Sequence, residues 1–380
     1  MEKFSAYRDP GTGIQPFLTP IPPLGSDFLA KATLPLRLII GLIRTTLILL
    51  LIPIYLVLVP GLCTLLVPLP FLYHPVSHFF TSLCARTALF ILGLFWIPEE
   101  SVTRKRGRGQ QKNQSWKPRG GDIIVSNWVS WIELLWLASR FNPIFVLPVC
   151  DAAHTPSVSS SASTPITYTP GRRTGTGSAN IQSPSKLVTP RISITGFREV
   201  SLFSILRLTG QVPPFDESFS PAIRPLETIR AKAVQPLVVL PECTTSNGRG
   251  LLRFSSVFHQ NVPVKNHQMF VMCVRYDPPT SLAPTLARSI PSKALNPLPH
   301  IFTLASSITP PAISIRLLTP SDSPSSPLFM ASEVITGSAG EDQLTEACAT
   351  LISQIGKIKR TGMGWEEKAS FLEFYWGQRK

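Results

Sequence analysis

The residues in this chain whose types and spacing could do chemistry lie between Pro236 and Phe254. Four apolar residues, Leu237 to Leu240, run into Pro241 and Glu242, then into Thr244, Thr245, Ser246, Asn247 and Gly248, with Arg249 and Arg253 among leucines beyond. An apolar strand that feeds a polar turn is a common place to build a site. Small hydroxyls, a carboxylate, turn N–H groups and an arginine could together hold a phosphate-bearing group, because oriented donors and a fixed positive charge stabilise the anion. The same residues also read as a plain strand end closed by an Asn-Gly turn.

Such a block needs elements to position it. Short strand signals recur at Asp122 to Val125, Phe145 to Val149, Met269 to Tyr276 and Ala312 to Leu318. A turn at Asn127 leads into an apolar helix from Ser130, and a second helix over Leu226 to Val234 leads into the Pro-Glu block. Gly196 to Ser218 reads as an amphipathic helix followed by a strand or turn. Glu341 to Lys359 has helical spacing and an acidic first turn. The tail from Trp365 to Lys380 reads as a short helix whose aromatics, Phe371, Phe374, Tyr375 and Trp376, suit a core better than a membrane interface.

The nonapeptide from Pro241 to Arg249 resembles the Pro-Glu-Gly-Thr block of the glycerolipid acyltransferases, the family that includes the lysophosphatidic acid acyltransferases. Cys243 stands where that family usually has glycine, and the longer Thr-Thr-Ser-Asn-Gly-Arg form occurs in some eukaryotic members. Upstream, Asn127, Ser130 and Glu133 fall in register with the family's Asn-His, Ser and aspartate block, while Trp128 occupies the histidine position. Asp216 and Ser218 match a second block weakly, with Glu217 where its arginine would be, and Met269 to Tyr276 resembles the final block, a strand approaching the acyl channel.

The resemblance spans residues 121–320 and looks most like the fungal lysophosphatidic acid acyltransferases of the endoplasmic reticulum and lipid droplets. It implies an α/β fold, a central sheet flanked by helices, preceded by a membrane hairpin or transmembrane helix. The implied reaction moves a fatty acyl group from acyl-coenzyme A to the free hydroxyl of a lysophospholipid, lysophosphatidic acid foremost, without metal or bound cofactor. Glu242, Thr244, Thr245 and Arg249 would then hold the acceptor phosphate, Asn127, Ser130 and Glu133 would shape the reacting end, and Val271 to Tyr276 would line the acyl path. Arg198 or Arg207 could assist with the phosphate.

In that family the histidine is the general base on the acceptor hydroxyl and the carboxylate orients it. Indole has no basic nitrogen, so Trp128 cannot serve. Glu133 could act as base itself, another histidine (His154, His259 or His267) could move in, or binding and thioester reactivity could carry the reaction. The contrasting expectation is a non-catalytic protein that keeps the fold and binds lipid or partners at the droplet surface.

Composition places this machinery on a membrane. A chain of 380 residues with 44% hydrophobic content, a net charge of +14 and 38 prolines suits a membrane-associated basic protein better than a soluble enzyme. Thr45 to Tyr73 contains no charged residue over 29 positions, enough to enter a bilayer. Pro53, Pro60, Pro68 and Pro70 interrupt it, and the halves on either side of Pro60 reach only roughly 18–22 Å, too short to cross a ~30 Å core. Basic residues flank both ends (Lys31, Arg37 and Arg44 before it, Arg86 and Arg104 after), which fits a re-entrant hairpin facing the cytosol, with a single tilted span as the alternative. Thr87 to Pro98 is expected to lie at the interface.

Residues 1–33, rich in Pro, Gly and Ser, read as flexible, 34–100 as membrane-embedded, and 101–120 as a basic loop. Arg104 to Arg119 holds seven Lys/Arg and no acid; beside a membrane segment it reads as a headgroup contact rather than a nucleic-acid site. Residues 121–380 form the expected acyltransferase-like domain, broken by a disordered Ser/Thr/Pro-rich insertion at 152–192. The six scattered cysteines give no metal-ligand or disulfide spacing and suit a reducing compartment.

Overall fold

The computed structural model describes residues 4–23, 28–104, 116–150, 191–215, 223–327, 329–335 and 342–377. Most of the basic loop, the 152–192 insertion but for its last two residues, His154 and the Asp216–Ser218 block lie outside them.

The N-terminal half of the apolar segment belongs to a helix that begins before it, at Leu34. After a short α1 (Phe28–Ala32), α2 runs over Leu34–Leu56, and a π turn at Val57–Gly61 and a 3-10 turn at Leu62–Leu66 lead into α3 (Pro70–Ile91). The bends fall at the proline-rich stretch around Pro60-Gly61, where a missing N–H and a flexible glycine break the helical ladder. The chain reverses there, and Ile48 of α2 shares one apolar cluster with Ala85, Ala88 and Leu89 of α3. Thr87 to Ile91 belongs to α3 rather than to a separate interfacial segment, and Leu92 and Leu94 beyond it are buried.

A seven-stranded sheet forms the centre, in the order β1-β8-β7-β2-β5-β3-β4. Its strands are β1 (Glu99–Val102), β2 (Ile123–Ser126), β3 (Ile144–Cys150), β4 (Ile194–Val200), β5 (Leu237–Val239), β7 (Met269–Tyr276) and β8 (Ile313–Leu318), while β6 (Gly250–Leu251) pairs with β9 (Lys359–Arg360) in a two-stranded ribbon. Pairing is parallel except at β7–β8 and β3–β4. The helices are α4 (Ile132–Phe141), α5 (Leu202–Leu208), α6 (Leu226–Lys232), α7 (Leu298–Ala305), α8 (Gln343–Gly356) and α9 (Trp365–Gly377). This is a mixed α/β architecture with helices on both faces of a mostly parallel sheet.

The strand alternation decides which helix goes where. Ile124, Val238, Phe270, Met272 and Ile315 point to the face covered by α4 and the α2–α3 hairpin. Ile123, Val125, Leu237, Val239 and Val271 point to the face covered by α8. A period of two thus buries both faces, as a parallel sheet requires.

Two expectations need correction. Gly196 to Val200 is not helical: it forms β4, antiparallel to β3 with Phe197 opposite Pro148, and the helix begins only after Ser201, whose hydroxyl accepts the Ser204 N–H at 3.3 Å. The N-terminal residues 4–23, expected to be flexible, are docked: Phe4 and Tyr7 pack against Phe371 of α9 at ring separations of 5.8 and 5.2 Å, and Phe17 is buried. Three aromatics supply the apolar area that the surrounding Pro- and Gly-rich composition concealed.

Candidate active site

The carboxyl ends of the parallel strands gather the motif residues, the end of an open α/β sheet where ligands usually bind. β2 delivers Ser126 and Asn127, β5 delivers Leu240 to Glu242, and β7 delivers Tyr276. Asn127, Ser130, Glu133, Glu242, Thr244 and Thr245 are all buried.

Two carboxylates hold the loop between β2 and α4. Glu133 Oε1 accepts the Val129 and Ser130 N–H groups, both at 2.6 Å, and its Oε2 accepts the Tyr276 hydroxyl. Glu242 accepts the Trp128 N–H at 2.5 Å and the Leu252 N–H at 2.8 Å. Four backbone donors that would otherwise be buried without partners are thereby satisfied, each of which would cost about 1–3 kcal/mol if orphaned. Burial lifts the Glu133 carboxyl from 4.5 to about 7 against those hydrogen bonds, and lifts Glu242 to about 8 with a further push from Glu133. Tyr276 is held well above its usual value by burial and by the neighbouring Glu133.

Trp128 fills the histidine position with core. Its indole is fully buried among Ile124, Ile132 and Met272, and Nε1–H donates to the Ser130 carbonyl at 3.1 Å. Asn127 does not face a reacting centre: its side chain pairs with Val274, accepting the N–H at 2.8 Å and donating to the carbonyl at 3.0 Å, as an extra rung between β2 and β7. Ser130 Oγ lies beside Tyr276 without a well-formed hydrogen bond.

The Thr-Thr pair is engaged internally. Thr244 donates to the Gln211 carbonyl at 2.6 Å and Thr245 to that of Arg288. Beneath both sits Lys368 of α9, fully buried, donating to Thr244 Oγ1 at 2.8 Å and the Thr245 carbonyl at 2.7 Å. Burial drives its ammonium well below the ordinary lysine value, and the nearby Glu242 pulls it back up. Sequence reasoning missed Lys368; a lone lysine among the aromatics of the tail was the available signal. Arg249 stands apart, with its exposed side chain outside all these hydrogen bonds and only its N–H turned back to Asn247 Oδ1 at 3.1 Å. Arg253 is tied to Glu366 and Glu367 of α9 at 3.0 and 3.3 Å.

The turn is covered by the N-terminal segment. Asn247 Nδ2 donates to the carbonyls of Gln15 and Leu18 at 2.7 and 2.9 Å, and its N–H to that of Pro16. Cys243 adopts φ 57°, a left-handed conformation that an L side chain tolerates poorly, which explains why glycine suits this position.

Of the candidate replacement histidines, the two among the described residues, His259 and His267, do not reach the motif. His259 is exposed, and His267 lies at the opposite end of the sheet, near Asp122 and Arg230, just before β7. His300 of α7, which sequence reasoning overlooked, is buried and bonded to the motif helix's neighbour Trp131, whose Nε1–H donates to its Nδ1 at 2.9 Å, while its Nε2 meets the Thr285 carbonyl at 3.0 Å. Burial holds it neutral, at about 4, so both nitrogens act as struts.

Open volume lies elsewhere. An apolar cavity of about 650 Å³ is enclosed by residues of α2, α3, α4, α5 and the Ser292–Ile301 segment. Ile48, Ile52, Ala88, Leu92, Trp131 and Leu135 form its walls, and Arg207, Gln211 and Lys293 its polar edge. Gln211 connects it to the motif, since its carbonyl receives the Thr244 hydroxyl. No residue of β7 lines it, so Val271 to Tyr276 does not border this space. Arg198, on β4, is likewise absent from its walls.

None of the known family models matches the chain, and no solved structure matches it. Among curated proteins it is 23% identical over 382 residues, 98% of each chain, to a Schizosaccharomyces pombe protein that carries the provisional name lysophosphatidic acid:oleoyl-CoA acyltransferase. The alignment supports an acyltransferase relationship across the whole length.

Proposed function

We propose that this protein transfers a fatty acyl group from acyl-coenzyme A to the free hydroxyl of a lysophospholipid, lysophosphatidic acid foremost, at the cytosolic surface of the endoplasmic reticulum or a lipid droplet. The observation that carries the reading is the apolar cavity, which is within the roughly 300–1,000 Å³ of ligand sites and is walled on one side by the membrane-facing hairpin. An apolar cavity bordered by α2 and α3 suits an acyl chain taken from the lipid layer. Arg207 and Lys293 at the polar edge suit the acceptor phosphate, and Arg249 is the member of the Pro-Glu block exposed to meet an anion.

In this reaction the acceptor oxygen attacks the thioester carbonyl, the C–O ester bond forms, the C–S bond breaks, and the hydroxyl proton passes to a base and on to the coenzyme A thiolate. Glu133, poised near pH 7 with Tyr276 and two N–H groups orienting it, is the base this chain offers. Glu242, Thr244, Thr245 and Lys368 hold the loop that carries it. Because Glu133 is buried, catalysis requires the Asn127–Ser130 loop to open. No metal or bound cofactor enters this scheme.

A second reading, a non-catalytic lipid-binding protein, draws on the same closure and on Trp128. Acyl transfer by the purified protein, with labelled oleoyl-coenzyme A and a panel of lysophospholipids, separates the two. Phosphatidic acid formed by the wild type and blocked by Ala88→Trp in the cavity wall supports the enzyme. No acylated product above the heat-killed control leaves lipid binding.

A further inference from the structure

A second cavity lies at the opposite end of the sheet from the motif. Its floor is the chain entering β2, β3 and β5, at Gly120, Asn142 and Gln235, and its wall is the N-terminal half of α3. The volume is about 770 Å³, and none of its residues lines the apolar cavity.

The side chains around it have one chemistry in common. Lys117, Arg119 and Arg140 bring three fixed positive charges, against a single carboxylate, Glu99, which sits 3.7 Å from Arg140. His74 and Trp116 also line the cavity, and His74 Nδ1 and Trp116 Nε1 are buried atoms without a hydrogen-bond partner among the described residues. Both nitrogens are without accessible surface, so the chemistry the cavity offers an occupant is that of its exposed cations, Lys117, Arg119 and Arg140. Phosphate oxygens fit: they pair with guanidinium in a fork and with ammonium. An apolar part of the occupant has a surface to lie on, since Phe71, Leu72 and Phe79, which neighbour the lining residues His74, Pro75 and His78 along α3, are exposed.

We propose that this cleft binds the phosphate headgroup of an anionic phospholipid drawn from the membrane surface, with its chains along the outer face of α3. The site is independent of acyl transfer. It fixes how the hairpin sits in the lipid layer, because a headgroup held at the start of the sheet places α3 at the depth of the acyl chains.

The test uses the full-length protein in neutral detergent, titrated by calorimetry with dihexanoyl phosphatidylglycerol, which is neither substrate nor product of the proposed reaction. Dihexanoyl phosphatidylcholine and glycerol 3-phosphate serve as comparisons. Phosphatidylglycerol is expected to bind at least about fivefold more tightly than either, and Arg119→Gln/Arg140→Gln to weaken it about tenfold. Ala88→Trp, which blocks the other cavity, and Lys357→Gln on the remote α8–β9 turn should leave it unchanged. Equal affinity for phosphatidylcholine, tight binding of glycerol 3-phosphate alone, or indifference to Arg119→Gln/Arg140→Gln would each overturn the proposal, and a loss in Ala88→Trp would assign the binding to the acyl cavity instead.

Discussion

The motif end of the sheet and the hairpin face are built on opposite principles. At the motif end, two carboxylates, an ammonium and two threonine hydroxyls are buried together, and almost every donor and acceptor is used. Under the hairpin the walls are apolar, the packing leaves about 650 Å³ open, and the outer surface presents Leu42, Leu50, Phe79 and Phe90 to the surroundings. The first region fixes geometry and is closed; the second leaves an apolar volume, and among the described residues the two meet at Gln211 and around Trp131.

The largest expected effect asks whether the closed region does chemistry at all. Glu133→Gln keeps an oxygen for the Val129 and Ser130 N–H groups but removes the base, so acyl transfer should fall by roughly 10²–10⁴-fold with little change in melting temperature. Unchanged activity would make Glu133 a strut and move the chemistry elsewhere. Glu242→Ala tests the strut role directly. It orphans the Trp128 and Leu252 N–H groups, for an expected loss of about 2–6 kcal/mol by denaturant titration. A loss under 1 kcal/mol would mean that the region is wetter and looser than described.

On the other side of the comparison, Ala88→Trp fills the cavity without touching any motif residue, and should lower transfer of an oleoyl chain about tenfold more than transfer of a short acyl chain. Equal losses for both chains would place the acyl group outside this cavity.

The pH dependence of stability is a smaller effect with a definite sign. Glu133 and Glu242 bind protons more tightly folded than unfolded, so their contributions are greatest at low pH and are lost as pH rises from 4.5 through about 7 and about 8. Lys368, lowered by burial, acts the other way at higher pH. Glu133→Gln should therefore flatten the decline between pH 4.5 and 7, by up to roughly 1.4 kcal/mol per pH unit. The same titration raises wild-type activity through pH 7, because the base works deprotonated. Smallest of all, Cys243→Gly should be more stable than Cys243→Ala by about 1 kcal/mol, since alanine retains the left-handed strain at φ 57° and glycine does not.

Much of this was readable from one dimension. Strands with period two or a continuous apolar run announce themselves because burial on the sheet faces demands it, and β2, β3, β5, β7 and β8 fall where their apolar residues lie. The reversal at Pro60-Gly61 follows from proline and glycine chemistry alone. The Pro-Glu block and the Asn127, Ser130 and Glu133 register were visible as residue types at fixed spacing. β4 was misread as helix because seven residues carry too few apolar positions to separate the two periods.

What the local sequence could not supply is which donors those residues meet. Lys368 is 123 positions from Thr245, the Asn247 side chain reaches back to Gln15 across 232, and Tyr276 closes on Glu133 across 143. Residue type limits what a side chain can bond to, but burial and partners come from chain segments that only the folded sheet brings together. The sequence by itself determined the α/β class, the apolar hairpin and the identity of the motif residues. Only the tertiary structure decided that the motif is closed and that an apolar volume lies beneath the hairpin, because solvent access is a property of packing rather than of composition.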